Sequence, residues 1–192
     1  MATPPLDREL LDLPPEMRMR EWMLRVEALI FASPRPVPPP VLARLIGSSV
    51  PLADIIALLQ DELRARPYEL LHVAGGWQLV TRERYGAMLR SQLAGDAVTV
   101  DLSRREVELL AVIAFHQPMT RRQCEQILGR AVSGDDIGRL RAQGLIAAGH
   151  RRPGPGAPFT LVTTDCFLEL FGLASLADLD DPALLLSATS PA

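Results

Sequence analysis

Hydrophobic positions recur every three or four residues along most of the chain, the period of helices that bury one face. The longest stripe covers residues 52–63 and consists of leucine and isoleucine, which predicts a helix there. Two shorter runs at 68–73 and 77–81 are typical of strands, and Gly75-Gly76 between them predicts a tight hairpin turn. Helices followed by a hairpin are therefore the first structural unit that the pattern indicates.

The chain also matches itself at an offset of 82 residues. PVPPPVLARLIG at 36–47 aligns with PMTRRQCEQILG at 118–129 without a gap. The same offset pairs other apolar positions: Phe31 with Ile113, Ile55 with Ile137, and Leu58 with Leu140. Chance is the alternative, but a duplicated supersecondary unit explains the match better.

The second copy shows where its helices start and end. The first helix starts at the capping box of Ser103 with Glu106, and the second at that of Thr120 with Gln123. Ser133 caps the third helix, and Gly129 and Gly144 end the second and third helices. Cys124, Ile127 and Leu128 are expected to face the core from the second helix. We expect strands at 145–147 and 159–163 around a Gly/Pro/Arg-rich loop, then a closing helix at 165–171. Three helices and a hairpin in this order predict a winged helix.

The first copy follows the same plan, with one added helix that buries Tyr85, Met88 and Leu89. The predicted fold class is mainly α with small β-hairpins (α+β), built as two tandem winged-helix domains. The expected order is a flexible N-terminal segment (1–19), an N-terminal winged helix (20–94), a linker (95–101), a C-terminal winged helix (102–178) and a flexible tail (179–192).

Composition narrows the function classes. No apolar run approaches the roughly 20 residues that cross a bilayer, and Asp7, Glu9 and Asp12 precede any apolar stretch, unlike a secretory signal; we therefore expect a cytoplasmic protein. The two cysteines and three histidines show no metal-ligand spacing, and neither a phosphate-binding loop nor an activated nucleophile is visible. We expect no cofactor, no metal site and no enzymatic activity.

Charge bears on whether either winged helix reads DNA. The chain has a net charge of −3, and the predicted third helix of the second copy begins with Asp135 and Asp136, which would face phosphates with the wrong sign. Residues 102–166 nevertheless hold nine Arg against six Asp or Glu, a local charge of +3. Six of these, Arg121, Arg122, Arg139, Arg141, Arg151 and Arg152, could line a phosphate-facing strip. Three interpretations of this arginine strip stay open: a solvated face, a contact surface for an acidic protein segment, or weak non-specific DNA contact.

The second copy resembles a known family. The segments LSRREVELLAVIAFHQPMTRRQCEQILG, GLI at 144–146 and VTTDCFLELFGLASLADL are similar to segregation and condensation protein B, the winged-helix accessory subunit of the bacterial structural-maintenance-of-chromosomes (SMC) complex. The first copy is similar through ALIFAS and VAGGWQLVT, so the resemblance covers about residues 20–180.

This resemblance implies a nucleoid-associated homodimer that binds the central segment of a kleisin, segregation and condensation protein A, and through it the SMC ATPase, in chromosome condensation and cell division. The kleisin contacts that it implies lie in the C-terminal winged helix: Phe115, His116, Gln117, Arg121, Arg141, Arg151 and Phe159. The implied dimer contacts lie in the N-terminal winged helix: Trp22, Leu29, Leu59, Leu63 and Trp77. A structural role is the favoured alternative for three of these candidates: Phe115 in the turn and core, Phe159 between the second wing and its closing helix, and Trp77 in the first wing. DNA contact is expected to be weak and non-specific at most; the alternative is a winged-helix transcriptional regulator that reads one DNA sequence.

Overall fold

A computed structural model describes residues 6–93, 102–151 and 158–179 of the chain. The chain divides into two compact units, Met1–Ala97 and Val98–Ala192. The predicted linker (95–101) lies outside the described residues.

The N-terminal unit places three helices before an antiparallel hairpin and one helix after it. Its elements are α1 (Pro15–Ala32), α2 (Pro39–Leu42), α3 (Leu52–Glu62), β1 (Tyr68–Val73), β2 (Gly76–Thr81) and α4 (Gly86–Leu93). The C-terminal unit repeats this order with α5 (Arg104–His116), α6 (Arg121–Leu128), α7 (Gly134–Ala142), β3 (Ile146–Arg151), β4 (Phe159–Thr163) and α8 (Asp165–Phe171). The predicted α+β fold class, with two tandem winged helices, is confirmed.

The duplication is also visible in hydrogen bonding. A short segment before the second helix of each unit pairs with the outer edge of the hairpin, through the bridges Val37–Trp77 and Met119–Leu161. Val37 and Met119 are 82 residues apart, the offset found in the sequence. Each sheet is therefore extended by the same element.

The offset is not constant, however, and two of the predicted pairings are wrong. Phe31 is 80% exposed although Ile113 is fully buried, and Leu58 is 44% exposed although Leu140 is fully buried. The core positions that correspond are Ile30 with Ile113 and Leu59 with Leu140. From the first to the third helix the N-terminal unit is thus two residues longer, and α2 is a single turn where α6 has eight residues.

Residues 6–19 are not the flexible segment that we expected. Helix α1 already begins at Pro15, since proline suits the first helical turn. The indole Nε1 of Trp22 donates to the Arg8 carbonyl over 2.7 Å, and the Arg8 guanidinium donates to the carbonyls of Ala43 and Ile46 over 3.1 Å each. Leu10 is only 8% exposed, so this segment closes one side of the core.

Four further details differ from the sequence-based expectations. The hairpin turn is Ala74-Gly75, both with positive φ (47° and 70°), because Gly76 pairs with Val73 as the first residue of β2. Met88 and Ile127, predicted to face the cores, are 54% and 51% exposed. Leu179, assigned to the flexible tail, is 9% exposed and packs with the C-terminal core; the remainder of that tail, from 180 onward, lies outside the described residues.

The helix ends of the C-terminal unit agree with the sequence signals. Both capping boxes form, Ser103 with Glu106 and Thr120 with Gln123, and the Ser133 hydroxyl accepts from the Asp135 amide. None of the described helices combines the length and apolar character needed to cross a membrane.

Candidate functional site

Five of the seven predicted kleisin contacts lie on the surface of the C-terminal unit. His116, Arg121, Arg141, Arg151 and Phe159 are exposed. The side chains of Phe115 and Gln117 are half-buried, and Phe115 packs against the hydrophobic core.

The wing brings Arg151 and Phe159 together. A register shift between Ala148 and Arg151 places Arg151 opposite Phe159 across the hairpin, with the guanidinium 4.0 Å from the ring centroid. The Thr160 hydroxyl donates to the His150 carbonyl over 2.7 Å and fixes the strands beside the pair. Phe159 remains 53% exposed, so an aromatic ring and a cation are presented side by side.

Gln117 has a structural role that the sequence did not reveal. Its side-chain oxygen accepts from the Thr163 amide over 2.7 Å, and its side-chain nitrogen donates to the Thr163 hydroxyl over 2.8 Å. Both ends of the amide are thereby used within the unit. These bonds attach the turn before α6 to the end of β4, and the kleisin contact at Gln117 stays a prediction.

Some arginines of the C-terminal unit form ion pairs with glutamates of the same unit. Arg139 approaches the fully buried Glu106, with 2.8 Å between Nε and Oε1 and 3.2 Å between Nη2 and Oε2. The Nε contact is an ion pair whose geometry falls outside that of a hydrogen bond. Arg130 binds Glu108 over 3.0 Å, and this hydrogen bond, together with the positive charges of Arg130 and Arg104, holds the pKa of Glu108 below its ordinary value.

Arg139 of the strip, and Arg130 outside it, thus stabilise the unit itself. Arg121 pairs with Glu125 along α6 at 3.2 Å, an exposed contact that contributes little. Arg141 and Arg151 are exposed and form no ion pair with any described residue, and the Arg151 guanidinium lies over the Phe159 ring. The Glu106–Arg139 pair was missed because its partners are 33 residues apart and nothing in the sequence marks them as neighbours.

Three of the five predicted dimer contacts are buried inside the N-terminal unit. Trp22, Leu59 and Leu63 are 5%, 0% and 2% exposed and form its core, so they present no surface to a second chain. Leu29 and Trp77 are half-buried and pack against the same core. Leu59 and Leu63 belong to the hydrophobic stripe at 52–63, and periodicity alone does not separate a core stripe from an interface stripe.

The N-terminal unit has other apolar residues on its surface. Beside the outer edge of β2 lie two adjoining concavities of about 310 and 360 Å³, which share Tyr68 and Thr81. Phe31 lines the first concavity and Met88 the second. The repeat had paired Phe31 with the core position Ile113, and the helix pattern had turned Met88 inward, so sequence reasoning missed this surface.

The described residues offer little for chemistry. No group of three or more His, Cys, Asp or Glu that would hold a metal ion occurs among them. Burial raises the pKa of the Cys124 thiol, which keeps it protonated and unreactive.

Comparison with known proteins gives a consistent result. The sequence profile of the segregation and condensation complex subunit ScpB matches residues 24–182. Segregation and condensation protein B of Moorella thermoacetica is 37% identical over 161 residues, which are 80% of this chain and 79% of that protein. The protein of the same name from Syntrophotalea carbinolica is 39% identical over 158 residues, 80% of this chain and 78% of that one.

Among solved structures, ScpB from Mycobacterium tuberculosis is 32% identical, with 81% of this chain and 97% of that chain covered. The TM-score is 0.37, which is too low for a structural argument, and the sequence identity carries the relationship.

Proposed function

The chain belongs to the ScpB family of segregation and condensation complex subunits, and from this premise we propose that it is a non-catalytic, kleisin-binding subunit of the SMC complex in chromosome condensation and segregation. The partner is the central segment of segregation and condensation protein A, which links the subunit to the SMC ATPase. The subunit is a homodimer through its N-terminal unit and acts in the cytoplasm at the nucleoid.

The observation that carries the kleisin proposal is the exposed Arg151–Phe159 pair on the second wing. An aromatic ring supplies contact area at low entropic cost, and arginine pairs with carboxylates; these two residue types are enriched where binding energy concentrates. Arg141 and Arg121 are also exposed in this unit, and together the three arginines suit an acidic segment with apolar anchors.

Calorimetry of the full chain with a fragment of its host's kleisin tests this proposal. We expect wild-type binding, weakened at least about tenfold by the double change Arg151→Glu with Phe159→Ala, since tenfold corresponds to about 1.4 kcal/mol. Arg105→Glu, which reverses another exposed arginine of the same unit, is the matched control and should bind as wild type. No detectable binding by the wild-type chain would remove the kleisin proposal, and an equal loss in the control would remove the role of the wing.

A further inference from the structure

The residues that follow Leu179 have the chemistry of a ligand for the second wing. They read DDPALLLSATSPA at 180–192, and we call them the acidic tail. This segment begins with two aspartates, continues with three leucines at 184–186 and contains no basic residue. It is an acidic segment with apolar anchors, as is the kleisin segment proposed above. The match to the ScpB profile ends at residue 182, so the three leucines lie outside the matched residues.

The residue that precedes the acidic tail is fixed to the C-terminal unit. The Ser175 amide donates to the Asp178 carboxylate over 2.7 Å, and the Leu179 amide donates to the Leu176 carbonyl over 3.2 Å. Leu179 itself is 9% exposed and packs with the hydrophobic core of this unit. The acidic tail is therefore joined to the core of the same unit that carries the wing.

The acidic tail is long enough to reach the wing from Leu179. An extended chain spans at most about 3.3–3.6 Å per residue, so the seven residues up to Leu186 span about 24 Å. A unit of about 80 residues has a radius of gyration of about 12 Å and is therefore about 30 Å across. Leu161, which belongs to the same core as Leu179, lies only two residues from Phe159 along β4. The leucines of the tail can therefore meet the exposed ring of Phe159.

Charge directs the acidic tail toward the wing. Arg151 is exposed, forms no ion pair with any described residue and holds its guanidinium 4.0 Å from the Phe159 ring centroid. Phe159 is 53% exposed, so a cation and an apolar surface are offered together. The groove between α1 and α3 of the N-terminal unit is a poor alternative, because three carboxylates and a single arginine line it. Two aspartates beside a leucine run complement the wing and are repelled by that groove.

We propose that the acidic tail binds the second wing of its own chain and competes there with the kleisin, its aspartates pairing with the exposed arginines of the unit and its leucines packing on Phe159. The proposal rests on the kleisin binding proposed above and adds a regulation of that same site. A ligand joined by a short linker acts at an effective concentration on the order of millimolar, so a weak contact suffices to cover the wing. The apparent affinity for the kleisin is then reduced by the fraction of chains whose wing is uncovered.

Calorimetry with the kleisin fragment compares the full chain with a chain that ends at Leu179. We expect the shortened chain to bind at least about threefold more tightly, the factor for a tail that covers about two-thirds of the wings. Every described core residue of both units lies at or before Leu179, so circular dichroism should show unchanged folding. In the full chain, Asp180→Asn with Asp181→Asn should give part of the same gain. Thr189→Ala with Ser190→Ala is the matched control in the same segment and should bind as wild type.

Cross-linking tests the contact itself, since removal of the tail can also act by ending a repulsion between two acidic segments. Ser187→Cys with Pro158→Cys, in a Cys166→Ser background, places one thiol after the leucines and one at the exposed start of β4, while the remaining cysteine is buried. In a glutathione redox buffer we expect the disulfide within one chain to form at least about threefold more than with Gln126→Cys, an exposed position of α6, in place of Pro158→Cys. An excess of the kleisin fragment should suppress this difference.

The outcomes separate the acidic tail from the kleisin function. If neither the full nor the shortened chain binds the kleisin fragment, the kleisin function is lost and the tail has no site to regulate. If both bind equally and Arg151→Glu with Phe159→Ala still weakens binding, the kleisin surface stands and the tail proposal is overturned. Tighter binding by the shortened chain without a preferred cross-link means repulsion at a distance, which also overturns the contact. Weaker binding by the shortened chain would make the tail part of the kleisin interface, contrary to the proposal.

Discussion

At the scale of single residues, the buried carboxylate of Glu106 links two helices of the C-terminal unit. It is fully buried, accepts hydrogen bonds from the amide and the hydroxyl of Ser103 over 2.7 Å each, and meets Arg139. It thereby caps α5 and ties its start to α7. A buried charge that lacks partners costs free energy of folding. The hydrogen-bond donors and the positive charge around Glu106 are those that a buried carboxylate requires.

We predict that Glu106→Gln lowers the free energy of unfolding of the C-terminal unit by about 1–3 kcal/mol, because a charge-assisted set of bonds is replaced by weaker ones. The measurement is urea unfolding followed by circular dichroism. Both tryptophans, Trp22 and Trp77, lie in the N-terminal unit, so tryptophan fluorescence should report an unchanged transition.

Gln126→Glu, the reverse exchange at an exposed position of α6, is the control and should match wild type. A Glu106→Gln chain as stable as this control would mean that Glu106 contributes nothing beyond its shape.

The sequence predicted some residue roles and not others for a physical reason. Capping boxes are local, with both partners three residues apart, so Ser103–Glu106 and Thr120–Gln123 were visible in the sequence and are confirmed. Gln117–Thr163 and Glu106–Arg139 join residues 46 and 33 positions apart. Without the fold, nothing distinguishes such polar residues from surface ones.

At the scale of elements, Gln117 connects two parts of the C-terminal unit that are distant in sequence. The turn that carries it precedes α6, and its partner Thr163 ends β4. The adjacent bridge between Met119 and Leu161, with bonds of 3.1 and 2.6 Å, continues the same connection. The position of the wing relative to α6 thus depends on these neighbouring contacts.

We predict that Gln117→Ala destabilises the C-terminal unit by about 1–2 kcal/mol, because the half-buried Thr163 amide loses its acceptor. Urea unfolding measures this loss. The matched control is Gln126→Ala, which truncates an exposed glutamine of α6 in the same unit and should leave stability unchanged. If Gln117→Ala keeps wild-type stability and loses kleisin binding, the sequence-based assignment of Gln117 to the partner surface is correct.

Element types were predicted better than the faces of the helices. The hairpins, the closing helix and the order of elements follow from local signals of glycine, capping and periodicity. The faces failed at Met88 and Ile127, and the constant offset paired Phe31 and Leu58 with core positions; all four residues are hydrophobic and exposed. A helical stripe wide enough for the core includes neighbouring positions, and only packing decides which of them face solvent.

At the scale of the whole molecule, the net charge and the placement of acidic residues indicate whether a winged helix reads DNA. The chain has a net charge of −3, and the first turn of α7 carries Asp135 and Asp136 at the end that a DNA-reading helix presents to bases. Helix α3 likewise has Asp54 in its first turn. These carboxylates suit the positive end of a helix dipole and repel phosphates.

We therefore predict that the full chain binds duplex DNA weakly, without sequence preference, and that this binding disappears as salt is raised toward physiological strength. Changing Asp135 and Asp136 together to Asn should strengthen binding severalfold for every duplex alike, because it removes repulsion without creating base contacts. Anisotropy titrations of several unrelated duplexes across a salt series measure both effects.

The charge-matched control, Asp61→Asn with Glu62→Gln in the N-terminal unit, should change binding less, since counter-ion release depends on where the charge lies and not only on the total. Tight binding of one duplex that persists in salt would instead identify a winged-helix regulator, and the arginines of the second wing would then belong to a DNA contact.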